Sequence, residues 1–157
     1  MVPYGVKAGK DASQILEAMS HTSFQGRSLG QAYKIWKDAL AGGATVFFGL
    51  SGALIPAGMQ GIVEFLIENR LIDVIVSTGA NLFHDVHQSL GGAYHHCSPY
   101  ADDKKLREER FDRMYDVAAS DREFMQVDDI ILRYARTLES RPYGTREFFY
   151  GLGKSIA

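Results

Sequence analysis

Two short apolar segments, each followed at once by a turn of small residues, constrain the fold of this chain most strongly. Residues 44–50 read "ATVFFGL" and residues 71–76 read "LIDVIV", and both are rich in β-branched or aromatic side chains. A helix predicted over residues 59–69 separates them, and another begins near Asn81. Strands that are apolar throughout are typical of parallel sheets covered on both faces. The order therefore predicts an α/β fold with a buried parallel sheet and flanking helices.

The turns that follow the two strands read "SGALIPAG" from Ser51 and "STGA" from Ser77. Because neighbouring parallel strands end at the same edge of a sheet, we expect these turns to adjoin at the carboxyl edge, where open α/β sheets bind ligands. Each turn leads towards a helix N-terminus, which favours a phosphate group. Neither matches a G-x-G-x-x-G or G-x-x-x-x-G-K-[ST] motif. The spacing alone leaves open a nucleotide or phosphate site and a pair of ordinary strand-to-helix turns.

The other predicted elements carry weaker signals. Before the two strands we predict a first helix capped by Asp11 or Ser13 and a second from Ser28 to the "AGG" of residues 41–43. After them we predict a weak third strand over residues 92–97 and a solvated, partly helical connection over residues 99–118. Two further helices follow, one over residues 127–138 and a last one capped by Thr145. With so few strands, the sheet is expected to leave unpaired edges and uncovered apolar surface.

Length and composition narrow the class of protein. A chain of 157 residues suits one compact domain with no internal boundary. A net charge of −2 gives no electrostatic reason to expect nucleic acid or an anionic membrane as a partner. The single cysteine, Cys97, fits a reducing compartment. Residues 1–14 contain no apolar signal core, and no apolar run approaches about 20 residues, so we predict a cytoplasmic protein.

Histidines provide the other candidate chemistry. His84 and His87 are three residues apart and share a helix face, but a metal site would need further ligands from His95, His96 or Cys97, and their spacing matches no closed zinc pattern. His84 is predicted in the first helical turn, facing the carboxyl edge, as a general acid or base. The alternatives are a capping or core histidine and, for Cys97, an activated or an inert buried thiol.

Four segments together resemble the deoxyhypusine synthase family in the family's order, over essentially the whole chain. They are "TSFQGRSLGQA" (residues 22–32), "VFFGLSGALIPAGM" (46–59), "NRLIDVIVSTGANLFHD" (69–85) and "FFYGLGKSIA" (148–157). The resemblance covers the family's N-terminal half. It implies a Rossmann-like, NAD-binding subunit of a homotetramer. The family moves the aminobutyl group of spermidine onto a lysine of a translation factor precursor, with NAD accepting hydride and an active-site lysine carrying the group.

The resemblance also implies which residues bind cofactor and substrate. By position, the family's NAD contacts fall on Ser51, Gly52, Ala53, Leu54 and Ile55 in the first turn and on Thr78, Gly79 and Ala80 in the second. Phe83 and His84 replace two adjacent glutamates, and Asp85 follows; these three are the predicted substrate contacts, with His84 as a proton shuttle. Because two carboxylates that would attract a polyamine are lost, another small amine could replace spermidine.

The nucleophilic lysine of the family has no counterpart here, because no lysine of this chain matches its motif and Lys154 precedes the segment that carries it. We therefore expect the chain to need a complementary C-terminal half or a second subunit. The competing interpretation is a non-catalytic regulatory or assembly subunit that keeps the fold.

Overall fold

The computed structural model describes residues 6–7 and 9–157; residues 1–5 and 8, in the segment predicted to lack a signal core, lie outside the described part. The helices are α1 (Ala12–Met19), α2 (Phe24–Ala41), α3 (Gln60–Glu68), α4 (Gly79–Ser89), α5 (Asp103–Glu108), α6 (Asp121–Thr137) and α7 (Thr145–Ile156). The strands are β1 (Phe47–Leu50), β2 (Val74–Ser77), β3 (His95–His96), β4 (Phe111–Met114) and β5 (Val117–Ser120). A π-helical turn, Ile55–Met59, precedes α3.

The chain forms two compact units, each built from two segments. The first comprises residues 1–48 and 66–75, within the described ranges, and contains the packed pair α1 and α2. Asp11, one of the two caps that the sequence predicted, caps α1 by accepting the N–H of Gln14 at 2.8 Å. Helix α2 begins at Phe24, four residues before the predicted Ser28, and ends at Ala41, with Gly42 as its C-cap.

Strands β1 and β2 form a two-stranded parallel sheet. The N–H groups of Asp73 and Val74 donate to the carbonyl of Val46 at 3.0 and 3.1 Å, and the N–H of Thr78 donates to the carbonyl of Leu50 at 3.1 Å. The two predicted strands are therefore confirmed. Their predicted burial is wrong, because only Leu50 and Ile72 of the two predicted segments are buried and Val76 is 62% exposed. The described residues supply too few elements to cover both faces of the pair, which agrees with the expected uncovered sheet.

The second unit comprises residues 49–65 and 76–157. Its apolar core lies between α4, α6 and α7, where Val86, Val127 and Leu152 are buried. Tyr134 of α6 packs edge-on against Phe148 of α7, with ring centroids 5.4 Å apart. The helix predicted over residues 127–138 is confirmed and begins six residues earlier. Gly144, not Thr145, occupies the N-cap of α7.

The largest departure from the sequence prediction is a second sheet, antiparallel and ordered β3-β5-β4. The weak third strand exists only as His95–His96, and it pairs with β5 rather than joining the parallel sheet. Residues 99–118 contain α5 but also a hairpin, in which Met114 pairs with Val117. The intervening Tyr115 adopts φ 58° in a turn without glycine or asparagine, so the usual hairpin signal is missing. Within residues 6–7 and 9–157, no helix is both long and apolar enough to cross a membrane.

Candidate functional site

The structure brings together the two small-residue turns at the carboxyl edge of the parallel strands. The Oγ1 of Thr78, which follows β2, donates to the carbonyl of Gly52, which follows β1, at 3.3 Å. Thr78 is also the N-cap of α4, and its Oγ1 accepts the N–H of Asn81 at 3.4 Å. One threonine hydroxyl therefore begins the helix and connects the two turns.

Asn81 is the second connection between the turns, and no sequence pattern singled it out. Its side chain is 1% exposed. Its Oδ1 accepts the N–H of Ile55 at 3.3 Å, while its Nδ2 donates to the carbonyl of Leu50 at 3.2 Å and to Oγ1 of Thr78 at 3.1 Å. All the hydrogen-bonding capacity of the amide nitrogen is used, so the polar group is buried at low cost. The sequence signal that could have identified Asn81 is a polar residue in the first turn of a helix that follows a glycine-containing turn.

The predicted cofactor residues surround an open, backbone-lined surface. Gly52 has φ +65°, a conformation that glycine adopts readily, and a Cβ at Gly52 or Gly79 would meet no atom within 4 Å. Thr78, Gly79 and Ala80 are exposed, as are Ser51 and Leu54, whereas Ile55 is buried. Gly79 and Ala80 are the first residues of α4, where backbone N–H groups lack helical partners and the helix dipole favours an anion. Such a helix start can bind an anionic group.

His84 lies in the second turn of α4 rather than in the predicted first turn. It is 8% exposed, its Nδ1 is 3.0 Å from the hydroxyl of Tyr94, and its ring packs against those of Phe83 and Phe124 at centroid distances of 5.8 and 5.6 Å. Burial, and then the neighbouring His87, lower the pKa of the imidazole. The side chain is therefore neutral near pH 7 and provides no positive charge.

The other two predicted substrate contacts have different neighbours. Phe83 packs edge-on against Phe124 of α6 with centroids 5.4 Å apart, as part of the apolar core. Asp85 accepts the side-chain N–H of Gln60, the first residue of α3, at 2.7 Å. Phe83 and His84 therefore both contact α6, and His84 also contacts Tyr94. Asp85 contacts α3.

The buried side chain of His87 pairs with the partly exposed carboxylate of Glu123. The His87 side chain is 1% exposed, and its Nε2 lies 2.8 Å from a carboxylate oxygen of Glu123, which also accepts the N–H of Ala93 at 3.3 Å. A Cβ at Gly92 would lie 2.2 Å from this Nε2, so the pair requires glycine there. A cavity of about 430 Å³ beside the pair is also lined by Gln126, Asp129 and Arg133.

The histidines and the cysteine are not arranged as a metal site. In the described part of the chain, no three His, Cys, Asp or Glu side chains lie close enough to hold a metal ion. His95 and His96 are exposed on β3, where the ring of His95 packs against Phe111. Cys97 is half-buried, and its N–H donates to the carbonyl of Asp116 at 2.9 Å.

A small parallel sheet with two joined turns at its carboxyl edge is the kind of site at which α/β proteins bind ligands. The family model described as deoxyhypusine synthase matches residues 14–157. The chain is 43% identical over 156 residues to probable deoxyhypusine synthase 2 of Methanosarcina acetivorans, covering 99% of this chain and 45% of that protein. It is 46% identical over 130 residues to probable deoxyhypusine synthase 2 of Archaeoglobus fulgidus, with 80% and 44% covered. It is 38% identical over 152 residues to the deoxyhypusine synthase-like protein of Elusimicrobium minutum, with 95% and 40% covered.

The chain therefore belongs to the deoxyhypusine synthase family. It spans slightly less than half the length of these relatives and corresponds to their N-terminal half.

Proposed function

We propose that this chain is the NAD-binding, N-terminal half of an aminoalkyl transferase of the deoxyhypusine synthase type. In this proposal β1 and β2 are part of a larger Rossmann-like sheet. The observation that carries it is the connection of the two turns by Thr78 and Asn81, in a chain that belongs to this family. The connection fixes two backbone segments beside the exposed start of α4, which is what recognition of a dinucleotide pyrophosphate requires.

The cofactor residues act mainly through their backbones. Gly52 and Gly79 leave room for close approach, and the N–H groups of Gly79 and Ala80 are available at the start of α4. The first turn provides the other predicted NAD contacts, Ser51, Ala53, Leu54 and Ile55. The second turn provides Thr78. When bound, NAD supplies a hydride acceptor for oxidation of an amine.

The substrate is proposed to be a polyamine such as spermidine or another small amine. His84 stands where the resemblance places a glutamate, and it is neutral and largely buried, so it provides a proton acceptor without negative charge. Asp85 retains a carboxylate near the start of α3. We propose that an aminoalkyl group passes to an amine acceptor, which in the family is a lysine of a translation factor precursor.

The complete reaction is proposed for a homo-oligomeric assembly that also contains the remaining half of the family's length and its lysine. The cytoplasm remains the predicted compartment. A regulatory subunit that keeps the fold is the second candidate, and it is favoured by the replacement of both family glutamates at Phe83 and His84.

Two measurements on the complete assembly separate these functions. Calorimetric titration with NAD is expected to give saturable binding, and absence of binding would contradict the cofactor assignment. Incubation with NAD and isotopically labelled spermidine, or other labelled amines, is expected to yield a labelled aminoalkyl product. NAD binding without transfer from any amine would favour the regulatory subunit.

A further inference from the structure

Tyr94 makes two contacts with His84 through a single hydroxyl group. Its Oη is 3.0 Å from Nδ1 of the His84 imidazole and 3.3 Å from the backbone carbonyl oxygen of His84. The rings of the two residues meet edge-on, with centroids 5.8 Å apart. A phenol has one proton to donate, so it cannot donate to both groups at once.

Only one arrangement makes both contacts hydrogen bonds. In that arrangement the Tyr94 hydroxyl donates to the carbonyl oxygen of His84, and Nδ1–H of His84 donates to the Tyr94 oxygen. If the hydroxyl instead donated to a bare Nδ1, the carbonyl contact would bring together two oxygens with no proton between them. The hydrogen bond made by one ring nitrogen of a histidine determines the protonation of the other.

We propose that Tyr94 is a positioning residue that holds His84 as the neutral Nδ1–H tautomer, leaving Nε2 as a proton acceptor. The surroundings favour this state. Burial, and then the charges of Asp85 and Glu123, raise the pKa of the Tyr94 hydroxyl well above its ordinary value, so it remains a donor. The ring of Tyr94 also packs against the ring of His87 with centroids 5.0 Å apart, which restricts its movement.

The chemical consequence rests on the proposed function. An amine can lose hydride only after its ammonium form has lost a proton. Nε2 of His84 takes that proton, so the ammonium becomes a neutral amine and the imidazole becomes an imidazolium. The Tyr94 oxygen continues to accept Nδ1–H and stabilises the charged ring. The titratable groups that act on His84 and Tyr94 are His87, Asp85 and Glu123.

The tautomer can be measured directly by NMR of the complete protein labelled with ¹⁵N-histidine. At neutral pH we expect long-range ¹H–¹⁵N couplings to show His84 with a protonated Nδ1 and a bare Nε2, and His84→Gln assigns the signals. The Tyr94→Phe variant keeps the aromatic ring and removes the hydroxyl, so His84 is expected to shift towards Nε2–H. The signals of His87, whose Nε2 bonds Glu123, report whether the variant retains its fold.

If NMR of the wild-type protein shows the His84 proton on Nε2, the inference is overturned without any variant. An unchanged tautomer in folded Tyr94→Phe overturns it as well. Because neither measurement requires a cofactor, these failures are distinct from the absence of NAD binding. A role in proton transfer, rather than in structure alone, further predicts that Tyr94→Phe shifts the acidic limb of the pH profile of amine oxidation while the NAD dissociation constant remains within about twofold.

Discussion

The amide oxygen of Asn81 accepts the backbone N–H of Ile55 at 3.3 Å, and this bond joins the first turn of α4 to the start of the π-helical turn after β1. Both residues are buried, at 1% and 3% exposure. The geometry of the proposed cofactor surface therefore depends on a side chain that need not contact the cofactor.

Replacement of Asn81 by alanine should destabilise the protein by about 1–3 kcal/mol, because the buried N–H of Ile55 loses its acceptor. The carbonyl of Leu50 keeps the N–H of Thr78 as a donor, which limits the loss. Urea unfolding measures the free energy. Gln31→Ala removes an exposed amide from α2 and should remain within about 0.5 kcal/mol of wild type. Equal stabilities of the two variants would contradict this role for Asn81.

The pair formed by His87 and Glu123 predicts that Gly92→Ala is strongly unfavourable. The added Cβ would lie 2.2 Å from Nε2 of His87, whose side chain is 1% exposed, so a loss of about 1–3 kcal/mol is expected. Gly153→Ala is the matched control, because its Cβ would meet no atom within 4 Å in α7, and it should stabilise by about 0.5–1 kcal/mol. Thermal unfolding of both variants provides the comparison, and a stable Gly92→Ala would refute the close approach.

The lowered pKa of His84 predicts a defined pH dependence of stability. Above its ordinary pKa of 6.5 the residue is neutral in both the folded and the unfolded chain. Below that value the unfolded chain binds a proton that the buried imidazole resists, so the free energy of unfolding falls as the pH falls from 6.5 towards the lower folded pKa. Urea unfolding at several pH values should show this slope and its reduction in His84→Gln. His96→Gln, at an exposed position of β3, is the control for the replacement of a histidine by glutamine.

The exposed apolar strand surface predicts self-association of this chain when it is expressed alone. Val76 of β2 is 62% exposed, and a strand with an unpaired edge is a template for pairing. Sedimentation velocity should show oligomers that decrease in Val76→Lys. Leu132→Lys, at a 48% exposed position of α6, serves as the control and should change the distribution less. A monomeric wild-type chain at micromolar concentration would count against the prediction.

Local signals in the sequence predicted the parallel strands, the helices that follow them and the joined turns. The hairpin of β4 and β5 was not predicted, because its turn at Tyr115 carries no glycine or asparagine. The bond between His87 and Glu123 joins residues 36 apart, and no local pattern encodes such a pair. Phe83, His84 and Asp85 are consecutive in the sequence, but successive side chains on a helix are about 100° apart. Phe83 and His84 both pack against Phe124 of α6, whereas Asp85 contacts Gln60 of α3.

Paired glycine variants test whether the open backbone at the start of α4 binds NAD, as we propose. Gly79→Asp places a carboxylate on the proposed phosphate surface, whereas Gly144→Asp places one at the N-cap of α7, and neither Cβ would meet an atom within 4 Å. In calorimetric titration of the complete assembly, Gly79→Asp is expected to weaken NAD binding at least about tenfold, equivalent to about 1.4 kcal/mol. Gly144→Asp should retain wild-type affinity. Equal affinity of Gly79→Asp and wild type would show that NAD does not bind at the start of α4.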